Sequence, residues 1–189
     1  MNKGLMTSGN IYKRILIFAI PLLLGNFFQL MYNTIDSIIV GNYVGKEALA
    51  AVGASSPVIN LLIAFFQGLA TGAGVVVSRY YGAGHQKKMS EAIHSFILFA
   101  VIFGLFLSVL GVAMTPVFLN MIGTPEDVFA QAASYLRVYF LGNIFVTVYN
   151  SSTGILQAVG DSRHPLYFLI ASSVLNVLLD ILFVRALGM

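Results

Sequence analysis

Apolar residues fall into five long stretches, at about residues 15–40, 52–78, 92–118, 135–157 and 166–184. As helices, all five are long enough to cross a hydrocarbon core, for which about 20 residues suffice. Short turn-forming segments separate them: Gly41-Asn42 with Gly45, Gly82-Ala83-Gly84, Gly123-Thr124-Pro125 and Gly160-Asp161-Ser162. The pattern predicts an all-α membrane protein, a polytopic bundle of about five transmembrane helices with no soluble appendage. The stretch beginning at Ile15 exceeds the roughly 7–15 apolar residues of a cleavable signal core, and further spans follow it.

Polar positions inside the stretches are not scattered. In the first, Asn26, Gln29, Asn33 and Asp36 recur at spacings of three, four and three, which stacks them on one helical face bordered by Tyr32. The second repeats the pattern with Asn60, Gln67, Thr71 and Ser78, the fourth with Asn143, Thr147 and Asn150, and the fifth with Ser172, Asn176 and Asp180. The third has only Ser95 and Ser108 beside Gly104 and Gly111, and reads as a packing or lipid-facing helix. Isolated hydroxyls such as Thr71, Ser108 and Ser172 read as interhelical glue, and Gly68-x-x-x-Gly72 as a close-packing face. Amide-rich stripes on four of five helices read instead as the walls of a shared polar cavity.

Two aspartates change the picture further. A carboxylate at mid-membrane costs at least about 2.5–3.5 kcal/mol, so it faces a bundle interior and marks an ion or substrate path. Asp36 lies 22 residues after Arg14, and Asp180 lies 15 residues after Pro165, so two outward-running helices carry both into the outer half of the membrane. Asn176 sits one turn below Asp180. Two carboxylates and an amide form an oxygen-rich set suited to a hard cation. Two crowded carboxylates also suit proton uptake. Pro21, seven residues into the first span, frees a backbone carbonyl and favours a bend beside the cavity.

Composition agrees. Of 189 residues 58% are hydrophobic and 9% charged, against roughly 25% charged in soluble domains, so the chain cannot coat a water-facing surface. Its net charge of +3 is carried at the ends of apolar segments rather than on one patch, which excludes nucleic acid as a partner and leaves the lipid bilayer. The absence of cysteine excludes a disulfide framework and thiolate metal sites. Gly82-x-Gly84 lacks the third glycine of a dinucleotide loop, the Asn150-Ser151-Ser152 sequon is buried in a span, and His85, His94 and His164 show no metal-ligand spacing. No catalytic constellation stands out, so the chain reads as a non-enzyme without a resident cofactor. Lys3, Lys13, Arg14, Arg79, Lys87, Lys88 and Arg163 fall on one side, against Lys46 and Arg185 on the other, with Arg137 near that outer end. This excess places the N-terminus in the cytoplasm.

Several segments resemble the multidrug-and-toxin-extrusion (MATE) transporters. "FAIPLLLGNFFQLMYNTIDSIIVGNYVG", with Pro21, Gln29, Tyr32 and Asp36, is similar to their first helix, and "ALAAVGASSPVINLL" to the opening of their second. "GILQAVGDSRHPLYFLIASSVLNVLLDILFV", with Asn176 and Asp180, resembles their helix 4–5 junction and fifth helix. The resemblance implies a family fold of twelve helices in two lobes. It implies export of cationic or amphipathic drugs or metabolites from the cell in exchange for Na⁺ or H⁺. Residues 1–189 then form a partial N-terminal lobe that stops before helix six and requires a C-lobe or second chain. The implied cation site is Asp36, Asn176 and Asp180, with Gln29, Tyr32 and Asn150 lining the adjacent cavity; the stripes add Asn33 and Asn143. A lipid-linked oligosaccharide flippase shares the architecture, but the acidic intramembrane charges favour cationic cargo. A non-transporting half-subunit or truncated fragment is the third reading.

Overall fold

The computed structural model describes residues 10–186. Lys3 and the side chain of Arg185, both part of the charge balance above, lie outside the described residues. The described chain forms five helices: α1 (Ile11–Ile39), α2 (Lys46–Gly82), α3 (Gln86–Met121), α4 (Glu126–Ala158) and α5 (Arg163–Asp180). Helix α1 continues into a π-helical stretch, Val40–Val44, and α5 into another, Ile181–Ala186.

Local chemistry sets the ends. The Asn10 side chain accepts from the Lys13 N–H and caps α1. Helices α2, α3 and α4 stop in the same way, on glycines 84, 123 and 160 with φ of 72°, 69° and 88°. After each, the next N–H closes back across the last turn: His85 to the Tyr80 carbonyl, Thr124 to Leu119 and Asp161 to Leu156. An L side chain in that left-handed conformation costs roughly 1–2 kcal/mol, which is why the turns carry glycine.

The α4–α5 turn also holds a carboxylate cap. Asp161 Oδ1 accepts from the N–H groups of Arg163 at 3.1 Å and His164 at 3.2 Å, and its other oxygen pairs with the His164 ring. Partial burial alone would raise the Asp161 pKa, but the hydrogen bonds and charge of His164, with the Arg163 N–H, outweigh it and hold the carboxyl below its ordinary value. A depressed folded-state pKa means that this stabilisation is complete above the unfolded value. It is lost as pH falls through the folded one. Asp161→Ala should therefore loosen the start of α5 by about 1 kcal/mol at neutral pH. Hydrogen exchange at residues 163–166 reads it, and protection equal to the parent at pH 7 would contradict the cap.

Helices α2, α3 and α4 form the tight part of the bundle. One face of α3, Gly104, Ser108, Gly111, Thr115 and Leu119, packs on one face of α4, Leu136, Phe140, Asn143, Thr147 and Ser151. The fit is close: a Cβ on Gly111 would stand 2.0 Å from the Phe140 ring, and one on Gly104 3.3 Å from Thr147. On the other side of α4, a Cβ on Gly154 would lie 2.9 Å from Ala70 of α2. So α3 is a packing helix, as its sparse polar pattern predicts. Gly68 and Gly72 pack on no neighbour among the described residues, since a Cβ added to either would meet nothing within 4 Å.

Among the described residues four helices are long and apolar enough to span a membrane: α1 and α5, each with its π extension, and α2 and α3. Helix α4, with 33 residues, is long enough but too polar to meet the same standard. Its position explains this: α2 and α3 cover one side and a cavity the other, so little of it needs to dissolve in lipid. The outer faces of α1, α3 and α5, by contrast, expose Leu23, Phe27, Leu30, Ile102, Val109, Leu175 and Leu178, a surface suited to lipid. Helix α1 packs against α5, with Gly25 beside Leu169, and this pair stands apart from the α2–α3–α4 unit. The gap between them holds the polar chemistry.

Candidate cation site and cavity

The α1–α5 contact brings the two aspartates together. Asp36 lies one turn before the end of α1, Asp180 is the last residue of α5, and their carboxyls come within hydrogen-bonding reach. Helix α5 turns π-helical immediately beyond Asp180 and α1 one turn beyond Asp36, and the two π stretches touch. In this wider winding the Gly45 N–H reaches the Val40 carbonyl, five residues back, at 3.1 Å. Such π segments often accompany functional sites in membrane helices and elsewhere.

Oxygen dominates the site. Asp36 Oδ1 and Asn176 Oδ1 are both buried without a hydrogen-bond partner among the described residues. Asn176 precedes Asp180 by four positions and so shares its helical face. A buried acceptor left unmatched costs about 1–3 kcal/mol, more when charged. The set therefore fits a cation or a proton that would satisfy both oxygens. Among the described residues no group of three His, Cys, Asp or Glu gathers. Tyr32 of α1 and Tyr135 of α4 stand near Asp36, closing the site on the side of α4.

Below the aspartates lies a cavity of about 720 Å³ between α1, α4 and α5. Gln29, Tyr32 and Asn150 line it, and so do Asn176 and the buried Pro21. No charged side chain among the described residues lines it. Two expected cavity residues are elsewhere. Asn143 is 1% exposed and faces the α3 contact, because the fourth-span stripe straddles two faces. Positions 143, 147 and 151 repeat at four-residue spacing on the buried side, whereas Val146, Asn150 and Thr153 look into the cavity. Asn33 is exposed on α1 and lines neither this cavity nor its neighbour, since Gln29 and Tyr32 hold the inward face.

Sequence reasoning missed Tyr139, Tyr149, Phe145 and Phe168, which supply the cavity with aromatic surface. The signal was present: Tyr139, Val146, Asn150, Thr153 and Gln157 follow helical spacing along α4. Aromatic residues in a span read equally well as lipid anchors, so only the packing assigns them. A second cavity, of about 740 Å³, adjoins it between α1, α2 and α4.

The bundle thus sets a pair of carboxylates above a neutral, aromatic cavity. The family model MatE matches residues 21–182, and the chain belongs to this family. A Bacillus subtilis (strain 168) relative, "Probable multidrug resistance protein YpnP", is 32% identical over 183 residues, covering 97% of this chain and 41% of the relative. "Multidrug export protein MepA" of Staphylococcus aureus (strain MRSA252) is 23% identical, covering 90% of this chain and 38% of the relative. Among solved structures, a MOP superfamily transporter from Pyrococcus furiosus Vc1 (DSM3638) superposes with a TM-score of 0.91 at 28% identity. A MATE crystal structure in the straight conformation gives 0.89, also at 28% identity. Each covers 100% of this chain and 42% of the solved one. The chain thus spans about two-fifths of the length of the proteins it matches.

Proposed function

We propose that this chain supplies one lobe of a secondary transporter of the plasma membrane that exports cationic or amphipathic compounds in exchange for inward-moving Na⁺ or H⁺. The observation that carries the reading is the pair of buried, unpartnered oxygens on Asp36 and Asn176, beside Asp180 and above a neutral aromatic cavity. Aromatic faces attract organic cations, and amides orient polar groups without trapping a charge. The relatives' designations as multidrug resistance and export proteins support the same cargo class.

The geometry gives the coupling a physical form. With both carboxylates charged, Asp36 and Asp180 repel and favour separation of α1 from α5. A Na⁺ ion or a proton between them removes the repulsion and favours closure. The cation thereby biases the position of α1, whose Pro21, Gln29 and Tyr32 also line the drug cavity. An ion shifts such an equilibrium only by its differential affinity for the two arrangements. Two carboxylates that change their separation provide that difference. Rocking against a second lobe completes the cycle, so the remainder of the longer protein, or a second chain, is required.

The test is efflux of a cationic dye from vesicles containing the complete transporter, under imposed Na⁺ or pH gradients. Gradient-independent dye movement would overturn the reading. Its orientation rests on the excess of Lys and Arg at one end. A reporter active only in the cytoplasm should be active when inserted in the Gly82–Lys88 turn and silent when fused after Met189. Reversed signals would invert the topology and move both aspartates to the inner half of the membrane.

A further inference from the structure

We propose that the cavity between α1, α2 and α4 is a hydrated passage by which the coupling cation leaves the Asp36–Asp180 site toward the cytoplasm. This rests on the exchange mechanism proposed above. The passage adjoins the drug cavity, with which it shares part of its lining. It lies beside that cavity on the same inward side of α1, sharing Leu22 and Asn26 with it, and opens at the ends of α2 and α4, at Tyr81, Gly82, Val159 and Gly160. Those positions share the end of the bundle that carries Arg79, Lys87, Lys88 and Arg163.

Its walls have the chemistry of a conduit rather than of a binding site. None of the lining side chains is charged. The Thr71 hydroxyl donates to the Gln67 carbonyl at 2.8 Å and the Ser78 hydroxyl to that of Val75 at 3.0 Å. Each hydroxyl thus spends its proton on its own helix and leaves an oxygen lone pair for the cavity. Small residues make the space: Gly154 against Ala70 and Gly74 against Ala158 let α2 and α4 close on each other, while α1 stands off the pair. Such a route has to attract a cation enough to admit it and hold it weakly enough to release it. Neutral oxygens meet that condition. Carboxylates, confined to the far end, do not.

The two cavities meet at a shared seam. Asn26 of α1, Gln67 of α2, and Asn150 and Gln157 of α4 line both. Four carboxamides from three helices can hydrogen-bond to one another and shut the passage, or turn their oxygens to a passing ion. Because Asn26 rides on α1, movement of α1 relative to α4 changes that contact. The same helix that carries Asp36 therefore opens or closes the way out.

The chain contains no cysteine, so single cysteines can report water directly. In the complete transporter, any cysteine elsewhere being replaced, Thr71→Cys and Ser78→Cys are treated from the cytoplasmic side with a membrane-impermeant thiol reagent. Both should react about tenfold faster than Val109→Cys on the lipid face of α3, since the reactive thiolate requires water. Thr71→Trp and Ser78→Trp, which fill the passage without touching the aspartates, should slow gradient-driven efflux about tenfold. Dye binding should be unchanged. Unreactive cysteines at both positions would mean that lipid fills the space. Reactive cysteines with full-speed efflux in both tryptophan variants would mean that the ion leaves elsewhere. Either result overturns the passage and leaves the Asp36–Asp180 site standing. If Asp36→Asn and Asp180→Asn retain coupling, the exchange mechanism itself falls, and the passage with it.

Discussion

Asp36→Asn or Asp180→Asn, introduced into the complete transporter, should abolish gradient-driven efflux of a cationic dye. Asparagine keeps the shape of aspartate and removes its charge. A unit charge about 4 Å from a monovalent cation contributes roughly 4 kcal/mol at an effective dielectric constant near 20, close to a thousandfold in affinity. Either substitution should therefore weaken the site beyond use at ordinary ion concentrations. Asn176→Ala removes one neutral oxygen and should have a smaller effect, on the order of 1–3 kcal/mol. Membrane insertion and dye binding should persist in all three, because the cavity below the aspartates keeps its remaining lining. Gradient-driven efflux at the parental rate in either aspartate variant would refute the cation site. Asn176→Ala more damaging than both would move the centre of the site onto α5.

Gly111→Ala should destabilise the fold more than any other single added methyl in the α3–α4 contact. The new Cβ would lie 2.0 Å from the ring of Phe140, itself only 1% exposed and tilted against Phe118 at 6.1 Å between centroids. The ring cannot swing aside without disturbing its neighbours, so helix α3 has to move. Overpacking of this kind costs about 1–3 kcal/mol, and Gly111→Leu should exceed it. Gly68→Ala is the matched control, since a Cβ there meets nothing within 4 Å and alanine is the better helix former by about 1 kcal/mol. Thermal unfolding of the purified variants in detergent reads both. Equal stability of Gly111→Ala and the parent would show that α3 and α4 pack more loosely than this contact requires.

Much of this architecture was legible along the chain because a bilayer imposes strong, simple demands. Backbone polar groups in lipid must be satisfied within each segment, so long apolar stretches become helices and the turns between them carry glycine. Gly84, Gly123 and Gly160 duly close three helices in the left-handed conformation. The cost of a charge in lipid made Asp36 and Asp180 conspicuous. Their shared level followed from counting residues from the flanking basic and proline positions, and the structure brings them into contact.

What the pattern of residues determined by itself was the number of the helices and roughly where each is centred, and which side chains had no business in lipid. Which helices touch was decided only by the tertiary structure, because helical periodicity defines a face but not its partner. Asn143 and Asn150 looked alike in sequence, yet one seals the α3–α4 contact and the other lines a cavity. Seven residues is close to two turns but falls about 20° short of them. That small offset carries the two amides across the line where the packed face of α4 gives way to the cavity. Small side chains were equally ambiguous: Gly104, Gly111 and Gly154 admit a neighbouring helix, while Gly68 and Gly72 face none among the described residues. Close packing is a property of two surfaces, and a single chain of letters describes them one at a time.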